Sequence, residues 1–179
     1  LRKIGIQYEM LDFDSALYFY NKGIEVAEAK NLRIEKAKTI INIGFAYLYG
    51  KKSETSIDYL LKGLEVYQEV GDKKGEMDTY YNLGTFAGTF EHFADAIRYF
   101  EEAVILGEEL QDTIRLAMIY NNLGLMYQYA GIHDKAVENQ LNALKMKEAV
   151  NDKTTYITRI NIGVNYNSQK QSEIGRAHV

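Results

Sequence analysis

Four asparagines carry the most specific hydrogen-bonding pattern in the chain. Asn42, Asn82, Asn122 and Asn161 are each followed by Ile or Leu and then Gly, in TIINIG (39–44), TYYNLG (79–84), IYNNLG (119–124) and TRINIG (158–163). An Asn amide offers both a donor and an acceptor. A row of such amides at a fixed interval suits two kinds of chemistry. It can bond successive backbone amides of an extended peptide, or it can bond the adjoining repeat and hold it in register. An Asn inside a helix costs about half a kcal/mol relative to Ala. Paying that four times calls for a reason, and either reading supplies one.

Other reactive groups are sparse. His92 follows Glu91 and His133 precedes Asp134, in equivalent stretches of chain, with no Ser or carboxylate triad around them. One such pair in a polar turn is weak evidence for catalysis or for a metal. Gly63, Gly71, Gly75 and Gly84 form no phosphate loop. Catalytic residues, metal ligands and cofactors are therefore expected to be absent, and the chain is expected not to be an enzyme. It has no Cys, which excludes disulfides and thiolate metal sites and fits a cytoplasmic location. A net charge of −4 argues against nucleic acid, and the 15 Tyr and 7 Phe lack the interleaved bases of a base-stacking platform. No apolar run approaches the ~20 residues of a membrane span. The chain opens at Leu1 without Met, so a preceding segment is expected. Residues 173–179, EIGRAHV, match the translation of GAG ATC GGA AGA GCA CAC GTC, a common sequencing-adapter string, and are expected to be a non-native tail.

These residues are positioned by a repeat. Gly5, Gly44, Gly84, Gly124 and Gly163 lie 39, 40, 40 and 39 apart, and FDSALYFYNKG (13–23) aligns without gaps on FADAIRYFEEA (93–103). Small residues recur as Ala16, Ser56, Ala96 and Ala136, and again as Gly23, Gly63, Ala103 and Ala143. Asp72, Asp112 and Asp152 each precede an apolar-periodic run, as helix N-caps do. Gly50, Gly71 and Gly131 stand where helices should stop. Apolar spacing of three and four predicts paired helices A and B: 1–10 and 13–29, 31–49 and 53–70, 72–89 and 92–110, 112–130 and 133–150, and a last A at 152–169. A single hairpin cannot bury its apolar face, whereas stacked hairpins share one core.

The pattern resembles the tetratricopeptide repeat. Its signature is an aromatic, Leu-Gly and Tyr on helix A, then Ala, an aromatic and Ala on helix B. Tyr120, Leu123, Gly124, Tyr127, Ala136 and Ala143 match it, as do Tyr80, Leu83, Gly84, Ala96, Phe100 and Ala103. Ile43, Gly44 and Tyr47, Ala16, Tyr20 and Gly23, and Ile162, Gly163 and Tyr166 match in part, so the resemblance spans about residues 1–168. The period of 40 exceeds the family's usual 34, and the Pro that usually ends a repeat is missing. Long units of this kind are similar to those of bacterial signalling proteins, including peptide-sensing regulators. The fold so implied is all-α, a right-handed solenoid of about four and a half helical hairpins over residues 1–172, with repeats at 1–29, 31–70, 72–110, 112–150 and 152–169.

The resemblance further implies that helices A line a concave groove and that the residue two before each Gly faces it. That residue is Asn42, Asn82, Asn122 or Asn161, with Lys3 in the first unit. Helical spacing adds Lys38, Phe45 and Tyr49, then Tyr81 and Thr85, then Asn121, Leu125 and Tyr129, as the peptide-binding set. The family's carboxylate clamp places bases where this chain has Met118 and Asn122, or Asp78 and Asn82, so recognition of chaperone C-termini is not expected. Between Gly75 and Asp134 stand ten acids and two bases, mostly on or beside helices B, which reads first as a solvated face and second as a docking patch for a basic partner. Two functions follow. One is a sensor or interaction region of a bacterial regulatory protein, holding an extended peptide or partner segment. The other is a scaffold that self-associates through its repeat ends or convex face.

Overall fold

The computed structural model describes residues 2, 3, 6, 12–49 and 53–177. Among these there are eight helices and no strand. They are α1 (Phe13–Ala29), α2 (Arg33–Tyr49), α3 (Ser53–Val70), α4 (Lys73–Thr89), α5 (Phe93–Glu109), α6 (Thr113–Tyr129), α7 (His133–Ala149) and α8 (Thr155–Ala177). The expected helix 1–10, with Gly5, lies outside the described residues except for residues 2, 3 and 6, which are helical. Gly50 also lies outside them.

The chain forms two compact units, Leu1–Thr79 and Tyr80–Val179. In the first, α1 packs on α2 and α2 on α3. Ala16 and Tyr20 of α1 meet Ile43 and Ala46 of α2 in its core, with Phe13 edge-on to Tyr47. In the second, α5 packs on α6, α6 on α7 and α7 on α8, and the α4 segment from Tyr80 onward packs on α5. Turns of a few residues between touching helices make neighbours antiparallel.

The recurring small residues are what let the hairpins close. Ala16, Ser56, Ala96, Ala103, Ala136 and Ala143 are wholly buried. A Cβ added at Gly44 would stand 3.2 Å from the Leu60 side chain, one at Gly84 2.9 Å from the Phe100 ring, and one at Gly124 2.7 Å from Gln140 Cγ. Each glycine thus seats the side chain sixteen positions further along. A Cβ at Gly163 would meet nothing within 4 Å.

Helix ends follow the predicted caps. The Asp112 carboxylate accepts from Arg115 N–H at 3.0 Å, and Asp72 accepts from Gly75 N–H at 3.1 Å. Asp152 accepts from both the backbone N–H and the hydroxyl of Thr154, bonds that hold its carboxyl below the ordinary range, and α8 starts only at Thr155. At its other end α8 departs from the expected stop at 169 and runs through to Ala177, into the stretch read as an adapter-encoded tail. The preceding A helix ends at Gly131, seven residues after Gly124, in a left-handed turn. At the equivalent position in α8, Lys170, the helix continues.

Candidate functional site

In the first unit the predicted residues sit along α2. Asn42 is half-buried, and its Nδ2 is shielded from solvent with no hydrogen-bond partner among the described residues. One turn before it, half-buried Lys38 donates to Glu35 at 3.1 Å and so lowers that carboxyl's pKa. Phe45 is half-buried, and only the backbone of Tyr49 is described.

The second unit brings more of the set together. Asn82 on α4, Asn122 on α6 and Asn161 on α8 are all half-buried. The Asn122 Nδ2 donates to the Tyr81 hydroxyl at 3.1 Å, which ties α6 to α4. Its Oδ1 accepts a long bond, 3.5 Å, from Asn121 Nδ2. The side chains of Asn82 and Asn161 make no hydrogen bond among the described residues, so their amide donors and acceptors are unspent. Tyr81 stands edge-on to Phe100, with the Arg115 guanidinium 5.5 Å above its ring. Thr85 bonds back to the Tyr81 carbonyl at 2.9 Å and is exposed. Leu125 is half-buried, while exposed Tyr129 stacks on Phe93 with ring centroids 5.5 Å apart.

Four further side chains belong to the polar architecture here and escaped the sequence reading. Lys147 of α7 is nine-tenths buried and donates to the Thr158 hydroxyl of α8 at 3.0 Å. That hydroxyl donates in turn to Asn121 Oδ1 at 3.3 Å. Asn165 of α8 is fully buried, with its Nδ2 about 3 Å from Gln128 Oε1, Gln140 Oε1 and the Asn161 carbonyl. Three acceptors claim that nitrogen, so Asn165 Oδ1 is the acceptor for His133 Nδ1–H, 3.1 Å away. Gln140 Nε2, also fully buried, has no partner among the described residues. A signal for these was available in the repeat itself. Lys147 aligns with Ala27, Tyr67 and Gly107, Gln140 with Tyr20, Leu60 and Phe100, and Asn165 with Ala46, Phe86 and Met126. A polar residue in an otherwise apolar column marks each one.

His92 is exposed and makes no side-chain cap bond, while His133 serves the Asn165 cluster. Among the described residues, no three His, Cys, Asp or Glu side chains are grouped to hold a metal, and no helix is long and apolar enough to cross a membrane.

Comparison with known proteins follows the same lines. Two models of the tetratricopeptide repeat match the chain, over residues 35–105 and 116–153. The regulatory protein RapG of Bacillus subtilis (strain 168) is 25% identical over 140 residues, covering 76% of this chain and 38% of that protein. The response regulator aspartate phosphatase H of the same organism is 25% identical over 150 residues, covering 82% of this chain and 39% of its own length. The chain thus spans about two-fifths of the relatives it matches. Among solved structures, BtubC (BKLC) from P. vanneervenii superposes with a TM-score of 0.80 at 20% identity, over 97% of this chain and 72% of that one. The apo form of RapI gives 0.79 at 19% identity, over 95% and 48%. At these identities the structural likeness speaks for the fold alone.

Proposed function

Because the chain belongs to the tetratricopeptide repeat family, we propose that it is a protein-interaction module of a bacterial regulatory protein, and that its helix-A asparagines hold an extended peptide or partner segment. The observation that carries this reading is the state of the asparagines. Asn82 and Asn161 are half-buried on the first and third A helices of the second unit, α4 and α8, with their amide groups unspent. Neither amide is sealed from solvent, so a ligand can reach both, and an extended backbone offers a donor and an acceptor at each residue. Tyr81, Leu125 and Tyr129 then supply apolar contacts for side chains. Relatives named as regulatory proteins support the setting. One relative is named a phosphatase, but this reading assigns no catalytic step to the residues present here.

The test is the double variant Asn82→Ala, Asn122→Ala. Binding of a mixed pool of unmodified pentapeptides, followed by isothermal calorimetry, should fall about tenfold or more, since each lost bond removes roughly 0.5–1.5 kcal/mol. The thermal midpoint should stay within a few degrees, because Ala is the better helix former and offsets the lost Asn122–Tyr81 bond. A large fall in the midpoint would assign the asparagines to register between helices instead.

A second reading has an observation of its own. On α8, Tyr156, Ile157, Ile160, Val164 and Tyr166 are all exposed. Such a face is suited to self-association, and a concentration-dependent sedimentation coefficient would support it.

A further inference from the structure

In the second unit one chain of hydrogen bonds runs in a single direction from a buried cation to the candidate binding face. Lys147 Nζ donates to Thr158 Oγ1, Thr158 donates to Asn121 Oδ1, Asn121 Nδ2 donates to Asn122 Oδ1, and Asn122 Nδ2 donates to the Tyr81 hydroxyl. The chain joins α7, α8, α6 and α4 over distances of 3.0, 3.3, 3.5 and 3.1 Å. Every link points its donor the same way. The Tyr81 oxygen is occupied as an acceptor, so its own proton is what remains to give, and no described residue accepts it.

The charge at the head of this relay is also under-compensated. Lys147 is nine-tenths buried, yet no carboxylate oxygen lies within 4 Å of its Nζ among the described residues. Asp152 feels the lysine's field, but its own bonds go to Thr154. A buried ammonium favours an anion nearby, and a directed hydrogen-bond chain carries its polarisation outward. At the far end a second cation, Arg115, lies over the Tyr81 ring. The positions at which the family's clamp would carry bases hold none here, so the positive charge comes from helix B and from the first turn of α6 instead.

We infer that the Tyr81–Asn122–Asn121 face is a subsite for a carboxylate of the bound segment, primed by Lys147 through Thr158. This rests on the peptide-binding reading and narrows it: the preferred ligand carries a free C-terminus or an Asp or Glu at this position. A carboxylate oxygen takes the Tyr81 O–H and competes for the Asn121 and Asn122 N–H groups.

The experiment uses the whole chain and three small probes: N-acetylglycine for a terminal carboxylate, N-acetylglutamate N-methylamide for a side-chain carboxylate, and N-acetylglycinamide as the neutral control. Side-chain amide resonances of Asn121 and Asn122 are followed by ¹H–¹⁵N NMR. At least one acid should give saturable shifts at these two residues, and whichever acid binds more tightly identifies the carboxylate's source. The neutral probe should bind at least about tenfold more weakly, as expected for loss of a charge-assisted bond. Lys147→Met, which keeps the packing volume, and Tyr81→Phe should each weaken the acid by a similar factor, with circular dichroism confirming the fold. Equal shifts from the neutral probe, no saturable shift from either acid, or full retention in both folded variants would overturn the inference. The pentapeptide pool separates the two readings. Binding indifferent to acidic groups would remove this subsite and leave the groove. Acid-probe binding without peptide binding would leave the subsite and remove the groove.

Discussion

At the scale of single residues, the acidic stretch around α5 is more than a solvated face. Glu101 and Glu108 are exposed, yet Glu108 accepts the Tyr120 hydroxyl at 2.6 Å and Glu101 accepts that of Tyr127 at 2.5 Å, pinning α5 to α6. The aromatic columns were legible in the sequence, because tyrosines recur at the repeat spacing. Their acceptors were not, since an acid on a helix surface looks the same whether or not a hydroxyl reaches it. Burial raises both tyrosine pKa values above the ordinary 10, and the neighbouring carboxylate adds to the rise. A group whose folded pKa is raised contributes stability that is present below its unfolded value and is lost as pH climbs past it. The denaturant midpoint should therefore hold to about pH 10 and fall above it. In Tyr120→Phe, Tyr127→Phe the protein should be less stable at neutral pH, through two lost bonds, and should lose less on going from about pH 9 to 11. Parallel curves for variant and wild type would show that other groups set the alkaline limit.

At the scale of elements, the repeat is punctuated by one turn used six times. Residues 31, 71, 91, 111, 131 and 151, spaced by forty and then by twenty, all take positive φ. At each, the following N–H reaches back five residues: Leu32 to Ala27, Asp72 to Tyr67, His92 to Ala87, Asp112 to Gly107, Ile132 to Tyr127 and Asp152 to Lys147. This is the Schellman closure of a helix. Gly71 and Gly131 announced it in the sequence, and the Asp caps fixed the next start, so helix bounds from Phe13 on were readable to within two or three residues, except that α8 runs to Ala177 rather than 169. Glu91 and Gln111 gave no such notice, because their side chains favour right-handed backbone and are carried into φ of 61° and 54° by the packing of the helices around them. Gln111→Gly should relieve that strain. Left-handed backbone costs a non-glycine residue about 1–2 kcal/mol, and part of the gain is offset by the greater freedom of Gly when unfolded. The expected result is a rise of up to about 1 kcal/mol in unfolding free energy by urea titration. A decrease would mean that Gln111 contributes contacts worth more than the strain.

At the scale of the whole molecule, a helix of a repeat protein is held by the helices it touches, so the chemistry of each interface decides which helix opens first. The recurring small and apolar positions, such as Ala16, Tyr20, Leu60, Ala96 and Phe100, are buried, and it was their regularity that made the fold readable. Around α7 and α8 three of these columns turn polar, at Gln140, Lys147 and Asn165, all buried there beside Thr158. The sequence held that break in pattern, but a repeat search rewards matches and passes over the column that fails. Polar groups hold a helix well only while every bond is made, and Gln140 Nε2 already lacks one. Asn165→Ala removes the hub of this cluster and leaves the Gln128 and Gln140 carbonyls and the His133 donor unpaired. Unpaired buried groups cost about 1–3 kcal/mol each. If α8 opens as a local unit, native-state hydrogen exchange at its central amides should speed by about tenfold or more in the variant, while α6 amides keep their protection. Equal acceleration in α6 and α8 would instead make the second unit one cooperative block. Unchanged exchange in both would mean that apolar contacts such as the buried Ile162 hold α8 without help from the polar cluster.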